Sequence, residues 1–340
     1  MRKPTIIDVA RRAGVSIGTV SNVMNGTRAV SEDRREKVRQ AIHDLGYLRN
    51  SLAQTLKSNH SRVVGVCVPS TASAYFIGLM EALEEIAARE NFELLQVLSG
   101  HDPDNEYRRT ETLLAHRIAG LIIVPSHHPQ RTFELLDQTR TPVVMVDRLW
   151  PDQRFDYVTM NNRKAMTDTV EKLMAFGHRR ILYIARYPNL VTTQQRIEAF
   201  RHSAGDGATV LLCDDDDDLL AERLASSLAG PYGSTAVIAS NSIIGIRVLR
   251  ALKSKKLSCP NDVSLVIFDD PLWADVMNPS LSVIRHPTSD IAEQAWDLLM
   301  ERIQEMADGA PSRAEGRHIE LPANIELRES VAAPSKFAAS

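Results

Sequence analysis

Between Thr5 and Asn25, hydroxyls, amides and small residues follow one another at the spacing a DNA-reading surface needs. The run is Thr5-Ile-Ile-Asp-Val-Ala-Arg-Arg-Ala-Gly-Val-Ser-Ile-Gly-Thr-Val-Ser-Asn-Val-Met-Asn25. Uncharged side chains of this kind bond phosphate oxygens and base edges. Catalytic constellations are missing from the sequence. It holds no phosphate-cradling Gly-rich loop and no Gly-x-Ser-x-Gly nucleophile turn. The acidic run Asp214 to Asp218 lacks the intervening residues and glycine of a calcium loop. It reads as a solvated turn before a helix over 219–228, whose N-terminus favours negative charge. His101, His127 and His128 have no cysteine or carboxylate at ligand spacing and read as surface loops. His178 reads as a strand-entry residue. Cys67, Cys213 and Cys259 are too few and too far apart for a zinc cluster or a disulfide framework. No metal and no cofactor is expected.

The elements that position the Thr5 to Asn25 run are two short helices, 6–13 and 17–24, hinged at Gly14-Val15. Thr5 is placed to cap the first, with Asp8 answering three positions on. Ser16 caps the second. Val9, Ala10 and Ala13 share one face; Val20, Val23 and Met24 repeat the spacing. A third helix, capped by Ser31 and stopped by Gly46, offers Val38, Ala41, Ile42 and Leu45 to the same core. This is helix-turn-helix architecture, whose second helix presents its N-terminal residues to the major groove. Charge agrees. The chain's net charge of -3 divides into +7 over residues 1–62, with 12 basic and 5 acidic residues, and -10 over the rest. A basic head on an acidic body fits a nucleic-acid partner for the head alone.

After a connector at 49–62 that includes Leu52, Ala53 and Leu56 on one face of a short helix, the pattern changes. Apolar runs at 63–68, 93–98, 120–124, 142–146, 181–185, 209–213, 236–239 and 263–268 alternate with amphipathic stretches at 78–89, 105–116, 164–176 and 243–253. Such alternation predicts parallel sheets covered by helices, in more units than one sheet holds, hence two lobes. Ligands in these folds sit at the carboxyl ends of the strands. The expected domains are 1–48, a hinge helix and linker at 49–62, a two-lobed domain at 63–330 and a disordered tail at 331–340. No apolar run is long enough to span a bilayer and no signal peptide is apparent, which predicts a cytoplasmic protein.

These motifs resemble the lac-repressor (LacI/GalR) family of bacterial transcription regulators. The resemblance rests on Asp8-Val-Ala-Arg-Arg-Ala-Gly-Val-Ser16, Thr19-Val-Ser21, Asn25, Val30-Ser31, Leu45-Gly-Tyr47, Gly177-His-Arg-Arg-Ile181, Pro260-Asn-Asp-Val-Ser264, Phe268-Asp-Asp270 and Glu326-Leu-Arg-Glu-Ser330. It covers nearly the whole chain. What it implies is an α/β chain: an all-α helix-turn-helix domain followed by a periplasmic-binding-protein-like sensor with parallel sheets. It further implies a homodimeric repressor on a pseudo-palindromic operator, controlled allosterically by a small metabolite, a sugar or sugar derivative.

By the same resemblance, the base-reading positions are Ile17, Gly18 and Asn22, of which Gly18 has no side chain with which to read a base. Ile17 offers only apolar contact, for instance to a thymine methyl, and Asn22 can grip an adenine edge. Thr5, Ser16, Thr19, Ser21, Asn25 and Tyr47 position the backbone, with Arg28 reaching phosphate or base. Asn50, Ala53, Leu56 and Lys57 belong to the hinge, Leu56 as a minor-groove wedge. The effector set is Tyr75, Phe76, Asp147, Arg148, Asn161, Arg196, Asn241, Asp269 and Trp273. Departures from the family pattern include Ile267 for a glycine, Ala199 for a glycine and Asn161-Asn162 for Asp-Asn. A DNA-binding head on a sugar-modifying enzyme is the competing reading, weakened by the missing phosphate loop and base. An exported solute-binding protein would lack the basic head, and an architectural DNA-binding protein would take no ligand.

Overall fold

The computed structural model describes residues 4–25, 29–47, 61–150, 154–309 and 315–334, and the chain divides into two compact units, residues 1–60 and 61–340. The first unit holds α1 (Ile6–Ala13), α2 (Ile17–Asn25) and α3 (Glu32–Leu45). At α1 the capping box closes fully: the Thr5 amide and hydroxyl donate to Asp8 Oδ2 at 2.9 and 2.7 Å. The Asp8 amide donates back to Thr5 Oγ1 at 3.4 Å. Gly14 ends the helix at φ 66°, a backbone only glycine adopts without strain. Val9, Ala10, Ala13, Val20, Val38 and Ala41 form the core, with Val23, Met24, Ile42 and Leu45 packed against it. Ser31 stands at the cap position of α3 yet makes no capping side-chain bond. The first turn there carries Glu32 and Asp33 instead, whose charge suits a helix start.

The second unit is a pair of six-stranded sheets. Its first lobe runs β1 (Val63–Val68), α4 (Ala74–Arg89), β2 (Glu93–Leu98), α5 (Pro103–Ala115), β3 (Gly120–Ile123), α6 (Gln130–Thr139), β4 (Val143–Val146) and β5 (Asp156–Met160). The chain then builds the second lobe from α7 (Asn162–Ala175), β6 (Ile181–Ala185), α8 (Val191–Ala204), β7 (Ala208–Leu212), α9 (Asp217–Leu228), β8 (Ala236–Ala239), α10 (Ser242–Ser254), β9 (Ser264–Phe268) and β10 (Ser282–Arg285). It returns to the first lobe for α11 (Thr288–Ala307) and β11 (His318–Leu321), and ends in the second with β12 (Asn324–Glu326). The sheet orders are β11-β5-β4-β3-β1-β2 and β12-β10-β9-β8-β6-β7. Among the described residues every pairing is parallel except β10 with β12. Central strands such as β3, β4, β6, β8 and β9 are buried along their whole length, which is why they read as unbroken apolar runs.

Short or mixed-polarity strands escape the apolar-run criterion. β5 (Asp-Tyr-Val-Thr-Met) opens on a carboxylate that is fully enclosed because Arg302 on α11 reaches it with two bonds of 2.6 and 2.7 Å. The Arg317 amide adds a third at 2.6 Å. The expectation of disorder from residue 331 is corrected at its start. Val331 is buried in the second lobe's core, and Ala332 exchanges two bonds of 3.1 Å with the Ser264 hydroxyl. Residues 335–340 lie outside the described residues, as does the expected hinge helix.

Candidate functional site

On the head, the start of α2 is open. Ile17 is 48% exposed, and among the described residues Gly18 has only the Ser16 hydroxyl nearby, at 3.7 Å from where a Cβ would stand. Ser16 caps α2 by accepting from the Thr19 amide at 3.1 Å and pairs with the Thr19 hydroxyl at 2.9 Å. Thr5 is committed to its capping box, while Ser21 and Asn22 lie half-buried on the same helix. Tyr47 packs its ring against the head core. Asn25 ends α2. Arg28, Asn50, Ala53, Leu56 and Lys57 lie outside the described residues.

In the second unit, a cavity of about 410 Å³ opens between the lobes at the carboxyl ends of the strands. Two carboxylates face it from matched positions. Asp147 follows β4 and Asp269 follows β9, each at positive φ (63° and 72°). Each amide still donates to the neighbouring strand, Asp147 to Val158 and Asp269 to Ile284, both at 3.1 Å. The main chain is therefore pinned to its sheet while the side chain turns out of it. Burial raises the pKa of both carboxyls. Arg148 and Arg196 pull Asp147 back down, and bonds from the Ser242 amide and hydroxyl, both 3.1 Å, do so for Asp269.

Arg196 on α8 lies with its guanidinium carbon 3.8 Å from the Phe268 ring centre. It donates to Asn162 Oδ1 at 2.7 Å and to the Ser240 carbonyl at 3.1 Å. Arg148 is buried beside Asp147, its Nε 3.4 Å from the carboxylate, and burial lowers its pKa. Tyr75 lies against His286 with ring centres 4.3 Å apart and planes tilted by 33°. Burial pushes the Tyr75 hydroxyl well up and the His286 imidazole well down, so both stay neutral. The Tyr75 hydroxyl and His286 Nδ1 have no hydrogen-bond partner among the described residues. Asn241 spends its side-chain oxygen capping α10 (Ile244 amide, 2.8 Å), which leaves its amide group as a donor.

Tyr75, Phe76, Asp147, Arg148, Arg196, Asn241 and Asp269 thus meet in one cavity. Asn161 and Trp273 do not line it. Asn161 caps α7 by accepting from the Lys164 amide at 2.9 Å, and it is the next residue, Asn162, that touches Arg196. Trp273 packs on the second lobe's core, the ordinary role of a tryptophan. His101, read as a surface-loop residue, lines the cleft, as do Arg186, Tyr187, Thr192, Thr193, Ser240 and His286. Arg186-Tyr187 follow β6 just as Asp147-Arg148 follow β4, so the strand-end rule was the available signal. The acidic run is more than a solvated turn: Asp216 caps α9 (2.9 Å), Asp215 pairs with Arg186 at 2.6 Å and Asp217 pairs with Arg247. Among the described residues no cluster of His, Cys, Asp or Glu fits a metal ion, and no helix is long and apolar enough to cross a membrane.

A helix-turn-helix head and a two-lobed unit with a cleft at its strand ends are the parts of a DNA-binding transcription regulator with a small-molecule sensor. Residues 5–50 match the family model "Bacterial regulatory proteins, lacI family", and residues 170–331 match "Periplasmic binding protein-like domain". Residues 5–50 thus form a head of the lacI family of bacterial regulatory proteins. The HTH-type transcriptional repressor PurR of Haemophilus influenzae is 28% identical across 96% of this chain and 98% of its own length. A lac repressor dimer bound to operator and the anti-inducer ONPF shares the fold, with TM-score 0.80 and 24% identity over 98% of this chain and all of its own. A transcriptional regulator CelR–cellobiose complex superposes with TM-score 0.67 at 25% identity, covering 96% of this chain and all of its own.

Proposed function

We propose that the cleft takes a sugar or sugar derivative, and that its occupancy sets how tightly a homodimer holds a pseudo-palindromic operator. One observation carries the reading: carboxylates from opposite lobes, Asp147 and Asp269, face a cavity that also holds the guanidinium groups of Arg148 and Arg196. Sugar hydroxyls donate to the former and accept from the latter. Tyr75, Phe76, Leu190 and Ile244 supply the apolar faces a ring needs. The similar CelR structure is a complex with cellobiose, which favours the same ligand class. PurR, a similar chain, is a repressor, and repression is the role assigned here.

On DNA, Ile17 and Asn22 contact bases, with Gly18 leaving room for the groove floor. Thr5, Ser16, Thr19, Ser21, Asn25 and Tyr47 orient the backbone, joined by Arg28, Asn50, Ala53, Leu56 and Lys57. The protein works in the cytoplasm, alongside DNA, and no residue is assigned a catalytic role. A thermal-shift screen of sugars, sugar acids and phosphosugars, repeated on Arg196→Ala and Asp269→Ala, tests the site. A ligand whose stabilising effect survives both substitutions binds elsewhere and overturns the reading.

A further inference from the structure

Eight non-glycine residues among those described have positive φ. Four of them, Asn91, Arg117, Arg140 and Lys256, end helices in exposed turns. The other four, His101, Asp147, Tyr187 and Asp269, all line the cleft. Left-handed backbone is uncommon outside glycine; Asp and His enter it more readily than most residues, whereas a bulky residue such as Tyr187 is strained there, and such strain clusters at ligand sites. Asp147 and Asp269 belong to the ligand site. His101 and Tyr187 meet each other.

His101 lies between β2 and α5 in the first lobe; Tyr187 follows β6 in the second. Their rings stack across the gap, centres 4.4 Å apart and planes 24° from parallel. The column continues on both sides. The Arg186 guanidinium carbon lies 4.6 Å from the Tyr187 ring centre, held from behind by Asp215 at 2.6 Å. On the far side, His101 Nδ1 is 3.3 Å from Arg148 Nη1. An arginine can only donate, so His101 Nδ1 must accept, which requires a neutral imidazole with its proton on Nε2.

We propose that the Arg186–Tyr187–His101 column is a clasp of the effector site, joining the lobes across the cleft mouth and holding the Arg148 guanidinium in position. His101 is then a positioning residue. The reading of Arg148 as an effector contact rests on the proposed function, whereas the clasp itself stands or falls without any ligand. The surroundings agree with the required state. Burial, followed by the charges of Arg148, Arg186 and His127, pushes the His101 pKa down from 6.5 to about 3. Among the described residues no carboxylate bonds the ring to oppose them; Asp147 is paired with Arg148 and Asp215 with Arg186.

The test is an imidazole-nitrogen NMR titration of the ligand-free, full-length protein between pH 8 and 5, with His101 assigned by its loss in His101→Gln. The expected result is a neutral Nε2-protonated His101 at pH 5, and titration returning toward 6.5 in Tyr187→Ala. Tyr187→Phe keeps the ring and leaves His101 as in the parent. Arg186→Met removes a cation at the outer edge of the column and also raises the His101 pKa; this variant decides the matter if Tyr187→Ala does not fold. A parent His101 that titrates near 6.5, or one that ignores both Tyr187→Ala and Arg186→Met, overturns the clasp.

Discussion

Breaking the Asp156–Arg302 pair from each side in turn tests how the first lobe is held together. Asp156 has 0% of its side chain exposed and accepts three bonds of 2.6, 2.7 and 2.6 Å, two from Arg302 and one from the Arg317 amide. Removing one partner of a buried pair costs about 3–5 kcal/mol, because the other charge is left without compensation. The two sides are not equivalent. Arg302 is 14% exposed and also reaches Glu305 at 3.3 Å, so it keeps a counter-charge and a path to water when Asp156 is lost. The enclosed carboxylate keeps the Arg317 amide bond but loses both guanidinium bonds when Arg302 is lost. Arg302→Met should therefore cost about 4 kcal/mol and Asp156→Ala about 3 kcal/mol. The double variant should cost well under their sum, since it leaves no buried charge unpaired; a coupling of about 2–3 kcal/mol is expected. Urea unfolding followed by Trp296 fluorescence reads this directly, because Trp296 sits fully buried on the same helix as Arg302. Strict additivity, or an Arg302→Met loss below about 1 kcal/mol, would refute the reasoning.

Other expectations follow from the same geometry. Asn22→Ala should weaken specific operator binding by about 1–3 kcal/mol while leaving binding to random DNA and its salt slope nearly unchanged, measured by fluorescence anisotropy across salt concentrations. Because the folded-state pKa of His101 is depressed, the unfolded chain takes up its proton first, and the stability His101 contributes is present above about 6.5 and lost as pH falls toward 3. His101→Gln should flatten the acid limb of a stability–pH curve by up to about 1.4 kcal/mol per pH unit, read by urea midpoints between pH 7 and 5. Asp147 and Asp269 act with the opposite sign: their raised folded pKa values favour proton uptake on folding, so Asp147→Asn should remove a stabilisation that appears on mild acidification. A Cβ at Gly245 would stand 2.8 Å from Ile267 Cγ2, so Gly245→Ala should destabilise by about 1–3 kcal/mol in the same assay despite its better helix propensity.

The head was legible because its information is local. Thr5 and Asp8 sit three apart, Gly14 follows a helix-length apolar pattern, and the small core is built from residues at helical spacing. Buried parallel strands were legible as apolar runs, but β5, β10, β11 and β12 are short and carry polar residues whose partners lie far along the chain, as Asp156 shows with Arg302. The cleft was half legible. Asp147, Arg148, Asn241 and Asp269 follow recognisable strands, so their place at the strand ends could be read. His286 could not, because β10 could not. His101 could not either, since its partner Tyr187 is in the other lobe. Asn161 and Asn162 differ by one step of a helix start, which sends one side chain to a cap and the other to Arg196. Ile267 stands where the family pattern has glycine, and Gly245 on α10 supplies the missing space. That compensation was visible only once the two elements were packed.

The matched placement of Asp147 and Asp269 has a mechanical consequence. Each carboxylate is tethered through its own amide to an adjacent strand, so neither can drift independently of the sheet that bears it. Any rocking of one half against the other must change the gap between these two acids while leaving each acid's immediate bonding intact. Their separation is a built-in gauge of how far the jaws have shut, and a molecule that needs both at once registers only the fully shut form.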